Sequence, residues 1–69
     1  MIITVVRHVT FVSGGFAQVV QVLNGNQIEN IYQRYDVNTN TGCTSLEFES
    51  EFSTAEKAVN YFKENEQPF

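Results

Sequence analysis

The sequence predicts an α+β fold in which four antiparallel strands form one sheet and a single C-terminal helix packs on one of its faces, in the order β-β-β-β-α. Three observations carry this. Residues 46–62, LEFESEFSTAEKAVNYF, change from an apolar period of two to one near 3.6, so a strand runs directly into a helix. Asn24-Gly25 stands between apolar runs, where both residues tolerate the positive φ of a tight hairpin turn. Ser13-Gly14-Gly15 closes the first Ile/Val/Thr/Phe-rich run in the same way.

The first strand is expected over residues 2–12, the second over 16–23 and the third over 27–37. The third is ambiguous in principle, because Ile28, Ile31, Tyr32 and Tyr35 also fit a helical stripe. The Asn-Gly turn and the β-branched and aromatic content favour a strand. Residues 38–45, NTNTGCTS, read as a mobile polar loop. In the fourth strand Leu46, Phe48 and Phe52 alternate with Glu47, Glu49 and Glu51, which sets the apolar residues on one side and three carboxylates on the other. Ser53 and Glu56 match a capping box, Ala55, Ala58, Val59 and Phe62 form the apolar stripe, and Asn65 and Pro68 mark the stop, leaving Phe69 to dock or fray.

A helix of about 12 residues is about 18 Å long and covers one face of a four-stranded sheet at most. The other face is therefore the candidate site. The first strand complicates the picture, since Ile3, Val5, Val9 and Phe11 lie to one side and Ile2, Val6 and Val12 to the other. Either a second copy or a partner covers the outward set, or a β-bulge near Arg7 or His8 switches the facing and buries most of it. The alternation alone leaves both open.

Sixty-nine residues make one small domain, 1–69, whose core contributes about 3–5 kcal/mol. A lone cysteine, Cys43, forms no internal disulfide and fits a reducing compartment. The N-terminal run has neither a charged leader nor the length of a membrane span, so a cytoplasmic protein is expected. The net charge is −4. Residues 1–45 balance two arginines against two acids, whereas residues 46–69 set six glutamates against two lysines. Too few Lys and Arg are present to neutralise phosphates on one face, which argues against direct nucleic-acid binding.

No constellation for catalysis or metal binding emerges, and neither enzyme activity nor a cofactor is expected. His8 has no second histidine or cysteine to complete a ligand set, and three alternating glutamates supply too few convergent oxygens for Ca²⁺. Glu47, Glu49 and Glu51, about 6.7 Å apart, repel by roughly 0.6 kcal/mol per neighbouring pair in water and so call for solvent or matching cations. They read either as a guarded edge or as a negative stripe for a basic protein surface. Tyr32, Arg34 and Asp36 add a mixed aromatic and charged cluster of the kind that enriches interfaces. Alternation puts Tyr32 and Arg34 on one face and Tyr35 on the other, with one tyrosine in the core and the other a candidate anchor.

This layout, an acidic domain with an Asn24-Gly25 hairpin and a terminal helix FSTAEKAVNYF at 52–62, resembles small phage-encoded inhibitor proteins, anti-CRISPR proteins among them. The resemblance spans the chain as architecture and carries over no residue role. It implies a non-enzymatic protein, in the host cytoplasm if phage-encoded, that binds a nucleic-acid-handling or defence complex and blocks nucleic-acid access through its acidic sheet face. Glu47, Glu49, Glu51, Tyr32, Arg34 and Asp36 are the partner-binding candidates. The alternative is a self-associating structural or assembly protein, a homodimer being its simplest form.

Overall fold

The structure, a computed structural model, describes residues 1–65. Strands β1 (Ile2–Thr10), β2 (Phe16–Asn24), β3 (Gln27–Val37) and β4 (Thr44–Phe52) form one antiparallel sheet in that order, and helix α1 (Ala55–Asn65) lies across β2, β3 and β4. The region open to strand or helix is a strand, fixed by hairpin pairing from Asn24↔Gln27 to Phe16↔Tyr35. Pro68 and Phe69 lie outside the described residues.

The turns follow their local chemistry. β1 stops two residues early because Phe11 leaves the ladder and turns inward, its N–H donating to the Gly15 carbonyl at 2.7 Å and its carbonyl accepting from Gly14 N–H at 3.0 Å. A Cβ on Gly15 would collide with the Tyr35 carbonyl, so only glycine fits there. The 38–43 segment is knit together: Asn38 Oδ1 accepts from the Asn40 and Thr41 amides, and Asn38 N–H donates to the Cys43 carbonyl. With that turn closed, β4 starts at Thr44, two residues before the alternation begins.

The helix cap is Thr54, not Ser53. Thr54 Oγ1 accepts from Lys57 N–H at 3.2 Å, the geometry of an N-cap serving the third helical residue. Lys57 then occupies the position a capping box needs for Glu, and Glu56 sits instead in the first turn, near the positive end of the helix dipole. At the far end Asn65 Nδ2 donates to the Tyr61 carbonyl at 2.7 Å.

Ala58 and Phe62 of α1 pack on Phe11, Ala17, Val19 and Tyr32, with Val6, Val9, Phe52, Val59 and Tyr61 around them. Tyr32 is the hub: Tyr61 meets it edge-on at 4.9 Å, and Phe48 and Phe62 lie at 6.0 and 6.4 Å. Its burial raises the phenol pKa, an effect opposed in part by the nearby Arg34 charge.

Two register shifts decide which residues face which way. Between Val5 and Arg7 the pairing skips Val6, which makes Val6 the extra residue of a β-bulge. Val6 and Val9 then reach the core, while Ile3 and Val5 pair in rows that face away from the helix. The bulge anticipated near Arg7 is therefore present, but it does not bury most of the strand, because Ile2, Ile3, Val5 and Val12 stay exposed. Between Arg34 and Tyr35 the pairing with β4 skips Glu47. Phe48 pairs with Arg34 on the helix side and Leu46 with Tyr35 on the other, so Leu46 and Phe48 do not share a face, contrary to the simple alternation.

Candidate functional site: the open sheet face

The face away from α1 is built in rows that follow the pairing across the strands. Thr10, Phe16, Tyr35 and Leu46 form the first row. His8, Gln18, Gln33 and Glu49 form the second, and Val5, Val20, Ile31 and Glu51 the third. Ile3, Val22 and Glu29 follow nearest the β2–β3 turn.

Each row has its own chemistry. Phe16 stacks on Tyr35 at 4.6 Å and 17°, and His8 stacks on Phe16 at 5.2 Å and 25°. These spacings match the distance between neighbouring strands, so the rings turn their faces toward one another and their edges outward. A base stacking on such a row would have to displace a ring, which makes it a poor nucleobase platform. In the second row the Gln18 amide donates to Gln33 Oε1 at 2.9 Å, and Gln33 Nε2 donates to Glu49 Oε2 at 2.8 Å. This chain of hydrogen bonds holds the Glu49 carboxylate in place across three strands. In the third row Val20 is only 3% exposed although no helix covers it, because Val5 and Ile31 flank it.

The six residues singled out in the sequence do not form one site. Glu49 and Glu51 lie on the open face as expected. Glu47 leaves their row, since the bulge removes it from the pairing and its carboxylate accepts Ser45 Oγ at 3.1 Å, beside the Ser45↔Asp36 pair on the helix side. Tyr32 is the core tyrosine, 2% exposed beneath α1, and is inaccessible to a partner. Arg34 and Asp36 pair with each other, Nε to Oδ1 at 3.4 Å, and the guanidinium sits 4.8 Å over the Phe11 ring, which ties them to the β1–β2 turn on the helix side. Tyr35, half-buried on the open face, is the tyrosine left outside the core, the position expected of the candidate anchor.

Phe16, Gln18, Gln33, Val20 and Ile31 were missed as site residues. Their signal in the sequence is weak, because the alternate set in β2, Ala17, Val19, Gln21 and Leu23, mixes apolar and amide side chains equally. Either set could have faced the helix. Gln21 and the buried Asn30 in fact face it, joined by a 3.1 Å hydrogen bond. Among the described residues no group of three His, Cys, Asp or Glu is gathered to hold a metal ion, and no helix is long and apolar enough to cross a membrane.

No protein-family model matches the chain, and no curated protein or solved structure matches it significantly.

Proposed function

We propose that this is a non-enzymatic protein-binding module that engages a partner through its open sheet face. The observation that carries the reading is the juxtaposition on that face of an apolar row, Val5 and Ile31 closing over the buried Val20, with the hydrogen-bonded Gln18–Gln33–Glu49 ladder. Apolar contacts supply affinity, while fixed amides and carboxylates supply orientation and specificity. Glu29, Glu49 and Glu51 lie along one flank of this face and select Lys or Arg on the partner. The resemblance of the layout to phage-encoded inhibitors favours a nucleic-acid-handling or defence complex as the partner class, with these carboxylates competing for side chains that otherwise hold phosphate. A self-associating structural or assembly protein is the second reading, favoured by the exposed apolar residues of β1.

The experiment is capture from bacterial lysate by immobilised protein at low and moderate salt, beside a variant carrying Glu29→Gln, Glu49→Gln and Glu51→Gln. The proposal expects wild type to retain a basic nucleic-acid-handling complex that the variant loses, with retention weakening as salt rises. Equal retention by both proteins would remove the carboxylates from the mechanism.

A further inference from the structure

The two edges of the sheet are unlike. β4 carries Glu47, Glu49 and Glu51, all exposed. Such a run of charge guards against edge-to-edge association, whereas a bulge is common to both edges, at Glu47 on β4 and at Val6 on β1. β1 lacks the acidic guards: Ile2, Ile3 and Val5 are 61%, 60% and 54% exposed, and Arg7 is the strand's one formal charge. The charge distribution follows the same division. No Asp or Glu precedes Glu29 in the chain, so β1 and β2 are free of acid, and every carboxylate of the described residues beyond them lies on β3, β4 or α1. In a chain of net charge −4, β1 is the flank where two copies meet without bringing carboxylates together.

We infer that β1 is the interface with a second copy of this chain, paired antiparallel about a two-fold axis at Thr4 to give an eight-stranded sheet. That register sets Ile3 against Val5 of the second copy on the open face and Thr4 against Thr4 on the helix side, both favourable cross-strand pairs. It keeps the two Arg7 side chains apart. The paired segment ends at the Val6 bulge, where the Val6 carbonyl is already taken by Arg7 Nη1 at 2.9 Å. Because the contact is isologous, it closes at two copies. Pairing β1 with the β4 edge of another copy would meet the guarded strand and would not close. The inference rests on the self-association reading and shares only Val5 with the basic-partner reading, whose own test is placed on Glu29, Glu49 and Glu51.

The test is the mass of the full chain by sedimentation and light scattering from low micromolar to millimolar concentration, together with amide hydrogen exchange at both extremes. Wild type is expected to rise from 7.9 kDa to twice that mass and no further. Exchange should slow in β1 with concentration and stay constant in β4. Thr4→Lys, which sets two like charges across the axis at an exposed position, should weaken association by about tenfold or more. Thr44→Lys, at an exposed position on the opposite edge strand β4, should leave it intact. A mass fixed at one copy throughout, growth beyond two copies, unchanged β1 exchange despite doubling, or a dimer that survives Thr4→Lys but not Thr44→Lys would each overturn the inference.

Discussion

Replacing Tyr32 by alanine is expected to unfold most of the protein at room temperature, whereas the same replacement at Tyr35, three residues on, leaves it folded. Tyr32 is 2% exposed and holds Tyr61, Phe62 and Phe48 around its ring, so truncation opens a cavity under α1 that the surrounding rings cannot collapse to fill. Losing a buried aromatic side chain in this way costs about 3–5 kcal/mol. A domain of this size has about 3–5 kcal/mol to lose. Tyr35 is half-buried on the open face, and its removal forfeits the Phe16 stack, worth about 0.5–1.5 kcal/mol, plus part of its contact area. The assay is urea unfolding followed by far-UV circular dichroism, read as the fraction folded in buffer and the midpoint. Tyr32→Phe serves as the control that keeps the ring, with a midpoint close to wild type. A cooperative transition near the wild-type midpoint for Tyr32→Ala, or collapse of Tyr35→Ala, would refute the assignment of the two faces.

Other consequences are equally direct. Gly15→Ala forces a Cβ against the Tyr35 carbonyl and should cost about 2 kcal/mol or more, lowering the melting temperature by roughly 8 °C or more, while Gly25→Ala meets no atom and bears only the strain of its φ of 64°, about 1 kcal/mol. Thr54→Ala should lose about 1 kcal/mol in urea titration and Ser53→Ala much less, since Thr54 makes the cap. Tyr32 has a folded pKa raised above its ordinary 10.0, so its neutral form favours the folded state. Its contribution is complete below pH 10 and is lost as pH rises toward the raised value, so Tyr32→Phe should flatten that part of the alkaline fall in melting temperature.

The order of elements was legible because each signal is local. Asn24-Gly25 and Ser13-Gly14-Gly15 mark turns by backbone permissiveness, and the change of period after Phe52 marks the helix without reference to anything distant. Facing was legible only within unbroken stretches. A bulge adds one residue to a strand without changing its composition, and a one-residue slip sends every later side chain to the opposite face. Val6 and Glu47 are such residues, and nothing in their type sets Val6 apart from Val5 and Val9 or Glu47 apart from Glu49 and Glu51. The Glu47, Glu49, Glu51 row fails for this reason alone. Tyr32 and Tyr35 are chemically identical, and only the placement of α1 over the Val19↔Tyr32 pair makes one core and the other surface.

The same two bulges bear on how the open face could work. On β4 the shift separates Glu47 from Glu49 and Glu51, so the acidic flank of the open face is completed by Glu29 on β3 instead of by a third β4 carboxylate. On β1 the shift sends Val6 and Val9 to the core while Ile3 and Val5 remain on the open face, which leaves the apolar side of that face at the edge free of carboxylates. In the two rows nearest the β2–β3 turn polarity therefore runs across the strands, from Ile3 and Val5 on β1 to Glu29 on β3 and Glu51 on β4. Joining two copies at β1 would bring the apolar sides together in the middle of an eight-stranded face and carry the two acidic flanks to its ends, about 34 Å apart at about 4.8 Å per strand. A partner matched to that face would present an apolar centre between two basic patches. The monomer offers only one patch beside one apolar row, so partner binding that weakens together with dimerisation would link the two surfaces through avidity.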